Sequence, residues 1–153
     1  MKDPALRGLV EKFVKEKSKE GFISPHYRDY CISNISTTVA RYLGVDLGNR
    51  PTIPDEAVGA LLDGARKIVV FIVDSLGYLH LQRLAKEEPG KTLAELKKNS
   101  LMIPMTSTFP STTTTGLTSL NTGLTPQEHG VIGYTMYLKE VGIVANMVHF
   151  SPA

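Results

Sequence analysis

The run Ile68-Val-Val-Phe-Ile-Val73 constrains the fold of this chain more than any other stretch. All six residues are apolar, and five of them are β-branched. Strands with this composition are buried on both faces, as in parallel sheets that helices cover on each side. We therefore predict that residues 67–73 form the central strand of an α/β domain, with a mostly parallel sheet and helices on both of its faces.

Asp74 follows this predicted strand directly, and Ser75-Leu-Gly77 comes next. Open α/β sheets bind their ligands at the carboxyl ends of the strands, so a carboxylate at this position is a candidate ligand-binding residue. A second interpretation is structural, since Asp also caps helices and a helical pattern begins near Tyr78. The sequence leaves both interpretations open.

The stretch from Thr108 to Gly130 is rich in hydroxyl groups and contains four consecutive threonines, Thr112–Thr115. Ser111 is a candidate helix cap, and Asn121-Thr-Gly123 is a plausible helix end. Several hydroxyls would then lie in the first turn of a helix, where free N–H groups and the helix dipole favour an anion. A hydroxyl in that turn is a candidate nucleophile toward phosphate, although threonine runs also cap helices and fill loops.

Further elements are predicted from apolar periodicity and from the positions of Gly and Pro. Helices are expected at residues 3–19, 36–43, 55–63, 78–87 and 92–99. A second strand is expected at residues 101–105, and two strands joined by a turn at residues 135–138 and 143–149.

The composition of the chain excludes several classes of protein. The 153 residues are enough for one domain with a hydrophobic core, and the net charge of +2 predicts no general affinity for nucleic acid or membranes. No apolar run reaches the length of a membrane span. The single cysteine, Cys31, excludes an internal disulfide framework and is expected to be a small buried residue. We expect a cytoplasmic protein.

Three segments together resemble the alkaline phosphatase superfamily, and within it the type I phosphodiesterase/nucleotide pyrophosphatase family. They are the apolar strand that ends in Asp74, the segment Thr106-Ser-Thr-Phe-Pro-Ser-Thr-Thr113, and the segment Leu124-Thr-Pro-Gln-Glu-His-Gly130. Residues 133–138 and 144–147 also resemble prokaryotic members. The resemblance implies an N-terminal helical extension at residues 1–65 and, at residues 66–153, the N-terminal portion of an alkaline phosphatase-like catalytic domain.

The resemblance implies a metal-dependent hydrolase of phosphodiester or pyrophosphate bonds with a nucleotide-type substrate. It implies two divalent metal ions, usually zinc, with Asp74 as a ligand of the metal that activates the nucleophile. The nucleophile, itself a metal ligand, would lie ten residues before Gly123, which is Thr113. Its hydroxyl would form a covalent intermediate that water releases. Thr112 is the main rival, because the start of the helix is uncertain by a few residues.

Two features depart from the family pattern. Tyr134 stands where animal members have a phosphate-binding asparagine, and the four histidines of the chain fall in no ligand-spaced motif with a carboxylate. The family's other Asp and His ligands lie far downstream of the nucleophile. We therefore expect an N-terminal fragment that is inactive alone and that pairs with a complementary C-terminal chain or forms a homo-oligomer. The alternative is a noncatalytic α/β binding or interaction module that retains the phosphate loop.

Overall fold

The computed structural model describes residue 8 and residues 21–87 and 92–153. The predicted helix at residues 3–19 lies outside these ranges except for Gly8. The chain divides into two compact units, which are described separately below. The first unit comprises residues 1–23 and 69–105, and the second comprises residues 24–68 and 106–153.

Six helices and three strands follow one another in the described ranges. The helices are α1 (Asn34–Tyr42), α2 (Asp55–Leu62), α3 (Tyr78–Glu87), α4 (Thr92–Asn99), α5 (Thr113–Thr122) and α6 (Pro126–His129). The strands are β1 (Thr135–Leu138), β2 (Ile143–Asn146) and β3 (Ser151–Pro152). The four predicted helices that begin at residues 36, 55, 78 and 92 are confirmed with shifts of two residues or fewer. None of the described helices is long and apolar enough to cross a membrane.

The sheet of the second unit is antiparallel, with its strands in the order β1-β2-β3. The β1–β2 register pairs Thr135 with Asn146 and Leu138 with Ile143. The connecting turn closes with a hydrogen bond of 2.8 Å from the Gly142 N–H to the Leu138 carbonyl, and Gly142 has a φ of +67° that suits glycine. The predicted hairpin is therefore confirmed, although its second strand ends at Asn146 and not at residue 149.

The predicted mostly parallel sheet with helices on both faces is not found among the described residues. Residues 68–73 have no strand partner, and Phe71 is 87% exposed. A parallel strand is stable only beside hydrogen-bonded neighbours and beneath covering layers, and the described ranges supply neither to this run. The predicted strand at residues 101–105 is not formed either. Within the described ranges, parallel pairing is limited to a single bridge between Cys31 and Thr106.

The interior of the second unit is unusually polar. Cys31 is fully buried, as predicted. Six polar residues of this unit are also buried, and we call them the polar core: Ser33, Asn34, Thr37, Thr38, Thr115 and Ser119. The Asn34 side chain accepts from the Cys31 N–H at 2.9 Å and donates to the Tyr27 carbonyl at 2.9 Å. These bonds offset the cost of removing the amide from water. The other side chains of the polar core are also hydrogen-bonded, except for Ser33, whose buried hydroxyl has no partner among the described residues.

Candidate active site

The hydroxyl of Thr112 caps helix α5. Thr112 has an extended backbone, and its Oγ1 accepts from the Thr115 N–H at 3.4 Å. The same oxygen lies 2.8 Å from Thr115 Oγ1 and 3.1 Å from Thr114 Oγ1. The cap is therefore one residue later than Ser111, the residue that the sequence suggested. Gly123 ends the helix with a φ of +69°, as expected for a left-handed helix terminus.

Thr113 differs from its three neighbours in the threonine run. Thr114 and Thr115 are buried, and the Thr114 hydroxyl donates to the Gly133 carbonyl at 3.0 Å. Thr113 is exposed, and its hydroxyl makes no hydrogen bond within the part of the chain that the structure describes. It is the first residue of helix α5. Its hydroxyl is thus open to a ligand that approaches the N-terminus of this helix.

The N-terminus of helix α5 also offers free donors. The first N–H groups of a helix have no intrahelical acceptor, and within the described residues those of Thr113 and Thr114 remain unpaired. The 10-residue helix adds a partial positive charge at this end. Two N–H donors and one exposed hydroxyl therefore converge where an anionic oxygen can be held.

Asp74 lies in the first unit, in a turn that precedes helix α3. Its side chain is exposed, and its Oδ1 accepts from the Ser75 N–H at 2.9 Å. The residue immediately before the helix is Gly77, whose carbonyl accepts from the Leu81 N–H. Asp74 therefore does not cap α3 in this arrangement. Its Oδ2 is available to a ligand.

Asp74 and Thr113 offer oxygen donors of types that bind divalent metal ions, an exposed carboxylate and an exposed hydroxyl. The described ranges contain no group of three or more His, Cys, Asp or Glu side chains placed to hold a metal ion. A catalytic zinc usually has three protein ligands. Each residue thus carries a group suited to a metal ion, and the described residues of neither unit complete a ligand set around it.

Three contacts around helix α5 were missed by sequence reasoning. His129 Nε2 lies 3.0 Å from Ser119 Oγ, and His129 Nδ1 accepts from the Val131 N–H at 3.0 Å. The third is the Thr114 contact with Gly133. The adjacent Tyr134 is half-exposed, and its carbonyl accepts from the Met147 N–H. The contact between Ser119 and His129 could not be predicted from local sequence. The two residues are ten positions apart and meet only because of the turn that α6 introduces.

A cavity of about 300 Å³ lies elsewhere in the second unit, beside helix α1 and the loop that follows it. Arg41 and Arg50 line it. Both guanidinium groups are already paired, Arg41 with Asp55 and Arg50 with Glu128. The cavity therefore presents no unpaired cation to a phosphate, and it does not involve the threonine run.

The sequence of this chain matches the model of a known protein family. The sequence profile described as type I phosphodiesterase / nucleotide pyrophosphatase matches residues 68–152. No curated protein and no solved structure matches the chain. The matched segment includes Asp74, the threonine run, the His129-Gly130 turn and the hairpin. Because the match covers more than half of the 153 residues, the chain belongs to the type I phosphodiesterase/nucleotide pyrophosphatase family.

Proposed function

We propose that this chain supplies the nucleophile of a metal-dependent hydrolase of phosphodiester or pyrophosphate bonds in nucleotide-type substrates, with Thr113 as that nucleophile. The family domain indicates phosphodiester hydrolysis of small-molecule or nucleotide substrates, and the family generally depends on divalent metal ions. One observation carries the choice of residue. Of four consecutive threonines, Thr113 is the one whose hydroxyl is exposed and makes no hydrogen bond within the described residues.

The proposed reaction has two displacements at phosphorus. In the first, Thr113 Oγ1 bonds to phosphorus and loses its proton, while the bond to the leaving oxygen breaks and that oxygen gains a proton. In the second, water attacks the phosphothreonine ester, releases the phosphate product and returns a proton to Oγ1. The free N–H groups of Thr113 and Thr114 donate to a non-bridging oxygen as its charge increases.

The ligand set is proposed to hold two divalent ions, with zinc as the metal. Asp74 would ligate the metal that activates the nucleophile, and the Thr113 hydroxyl would ligate the same metal. When bound, a divalent ion would lower the pKa of a coordinated hydroxyl, as it lowers the pKa of coordinated water from far above neutrality to about 7. Without such help, a threonine hydroxyl is a weak nucleophile at neutral pH.

Three variants of the full-length protein test the nucleophile, with a 4-nitrophenyl phosphodiester as substrate and zinc present. Thr113→Val keeps the side-chain shape and should lower kcat by about a thousandfold or more. Thr113→Ser keeps a hydroxyl and should retain measurable turnover. Ser111→Ala removes an exposed hydroxyl two residues away and should have little effect.

Two results would contradict the proposal. Wild-type turnover by Thr113→Val would show that another group is the nucleophile. Binding of the phosphodiester without hydrolysis, in zinc-loaded full-length protein, would favour a noncatalytic module that retains the phosphate loop.

The remaining ligands are proposed to come from a complementary C-terminal chain or from a second copy of this chain. The support is the exposure of the apolar run that the sequence predicts to be a buried strand. Val69, Phe71 and Val73 are each more than half exposed. An unpaired run of β-branched residues has both backbone and side-chain surface available for another strand.

A further inference from the structure

His129 uses both of its ring nitrogens to connect two parts of the second unit. Its Nδ1 accepts a hydrogen bond of 3.0 Å from the Val131 N–H, two residues further along the chain. Its Nε2 lies 3.0 Å from the hydroxyl of Ser119, which is fully buried in helix α5. The ring therefore joins the segment after helix α6 to the middle of helix α5.

These contacts fix the tautomer of the ring. A backbone N–H can only donate, so Nδ1 must present its lone pair to Val131. The proton of the neutral ring therefore lies on Nε2, which donates to Ser119 Oγ. Protonation would place a second proton on Nδ1, directly opposite the Val131 N–H. That hydrogen bond would then be lost, because two donors would face each other.

The surroundings of the ring also favour its neutral form. Burial lowers the pKa of His129 below its ordinary value, and the Glu128 carboxylate opposes this shift. Glu128 is itself paired with Arg50, whose Nη1 lies 2.9 Å from Glu128 Oε1. Ser119, which faces the ring from helix α5, carries no charge. Burial and the Val131 contact thus act in the same direction.

The segment that His129 holds leads back to the threonine run. Gly133 comes two residues after Val131, and its carbonyl accepts from the Thr114 hydroxyl at 3.0 Å. Residues 131–133 are thus attached to helix α5 at two points, through His129 to Ser119 and through Gly133 to Thr114. The second point is adjacent to Thr113.

We propose that neutral His129 is a positioning residue for the phosphodiester site, which holds residues 131–133 against helix α5 and thereby keeps the Thr114 hydroxyl on the Gly133 carbonyl. With Thr114 engaged in this way, the Thr113 hydroxyl is the free hydroxyl at the helix N-terminus. Protonation of the ring releases the segment, so hydrolysis by this site should decrease at the acid pH where His129 becomes protonated. The role in catalysis rests on the proposed function, whereas the attachment of the segment does not.

The attachment is tested by NMR on the wild-type chain, without reference to activity. The ¹⁵N shifts of the His129 ring should show a protonated Nε2 and an unprotonated Nδ1. On acidification, the Val131 amide and the Thr114 methyl signals should titrate with the midpoint of His129. Two results would overturn the inference. One is a proton on Nδ1 in the neutral ring, and the other is a set of Val131 and Thr114 signals that do not change as His129 titrates.

Two variants of the zinc-loaded full-length protein test the link to catalysis through the pH profile of phosphodiester hydrolysis. His129→Asn has Oδ1 in the place of Nδ1 and can accept from the N–H two residues on, as Asn does in turns. It has no donor that reaches Ser119, so its neutral-pH activity should fall, by less than that of His129→Ala. It cannot take up a proton in this range, so it should lose the acid limb of the pH profile that His129 imposes. His129→Ala lacks both contacts and should lose about tenfold or more at neutral pH, with a smaller loss relative to wild type at acid pH, where the wild-type ring is protonated.

The outcomes separate the two proposals. An unchanged acid limb in His129→Asn would show that His129 does not set it, and the positioning role would be wrong. Wild-type protein without hydrolysis, but with the expected NMR titration, would overturn the proposed function and leave the attachment standing. If His129→Ala does not fold, the wild-type titration and His129→Asn still decide the matter.

Discussion

Gly123 lies against Thr37 so closely that a β-carbon at position 123 would be 2.5 Å from Thr37 Cγ2. Gly123 ends helix α5 with a φ of +69°, and Thr37 lies on helix α1. Two separate requirements thus coincide at one residue. The backbone needs a left-handed conformation, and the neighbouring helix leaves no room for a side chain.

Gly123→Ala should lower the free energy of unfolding by about 2–5 kcal/mol, from left-handed strain of about 1–2 and overpacking of about 1–3. Gly130→Ala is the matched control, because Gly130 has a φ of +74° and no neighbour within 4 Å. Gly130→Ala should lower the free energy of unfolding only by the left-handed strain of about 1–2 kcal/mol. Thr37→Ser removes the methyl group that clashes and should recover part of the loss in the double variant. Urea unfolding of the wild type, the three single variants and the double variant measures these differences. Equal losses at positions 123 and 130 would show that Thr37 plays no part.

Asp74→Asn should leave stability within about 0.5 kcal/mol of wild type, because the side chain is exposed and Asn can still accept from the Ser75 N–H. It should nevertheless remove bound zinc and phosphodiester hydrolysis from the full-length protein, because an amide is a much poorer metal ligand than a carboxylate. Asp63→Asn, at another exposed aspartate, is the control. Metal analysis and a rate assay give the result. Retention of both zinc and activity in Asp74→Asn would exclude the ligand role.

Because of Glu128, the free energy of unfolding of the second unit should vary with pH in the acid range. Hydrogen bonds from the N–H and then the hydroxyl of Thr125 lower its pKa below 4.5, and Arg50 contributes in the same direction. The folded chain then binds fewer protons than the unfolded chain between the two pKa values, so stability rises with pH in that window. The contribution is fully present above about 4.5 and is lost as the pH falls through the folded pKa.

Unfolding in urea at a series of pH values should show this slope in the wild-type protein and a smaller slope in Glu128→Gln. The effect should be small, since the side chain is 46% exposed and partly screened. Asp46→Asn changes another carboxylate, one that accepts from the Gly48 N–H. It should preserve the Glu128 contribution. An unaltered slope in Glu128→Gln would assign the acid dependence to other groups.

Phe71→Asp should weaken association through the exposed run, because it places a charge at the most exposed of its apolar side chains. We expect the wild-type chain to form a dimer, or a complex with a complementary chain, in gel filtration and sedimentation. The variant should shift toward the monomer. Leu61→Asp, at an exposed apolar residue in the second unit, is the control. A wild-type chain that is monomeric and binds no complementary chain would contradict the proposed assembly.

Local patterns were enough to predict helices α1 to α5, whereas the short helix α6 was not predicted. Helix α4 has the predicted bounds, Thr92–Asn99, because apolar spacing and breakers act within a few residues. The hairpin from β1 to β2 was predictable for the same reason, since its register depends on one short turn. Residues 68–73 show the limit of this reasoning. Their apolar run indicates a strand, but pairing requires neighbours that are remote in sequence.

The candidate site divides in the same way. Asp74 was selected from its place after the apolar run, and Thr113 from the spacing to Gly123 that the family resemblance implies. Both assignments stay predictions. The sequence did not show that Thr112, and not Ser111, caps helix α5. Several neighbouring hydroxyls could cap this helix, and the backbone angles decide which of them does. The link from Ser119 through His129 to Val131 was also beyond local reasoning. It requires helices α5 and α6 to be folded against each other first.

The polar core has a consequence for how the second unit responds to temperature. Exposure of apolar surface on unfolding raises the heat capacity by about 0.45 cal/mol/K per Å², whereas exposure of polar surface lowers it by about 0.26. Asn34, Thr38 and Thr115 are among the largest fully buried side chains of the described residues. Unfolding should therefore raise the heat capacity by less than the usual value of about 12–15 cal/mol/K per residue. A small heat-capacity change flattens the curve of stability against temperature. Cooling should therefore lower the free energy of unfolding of this unit less than that of a unit with an apolar interior.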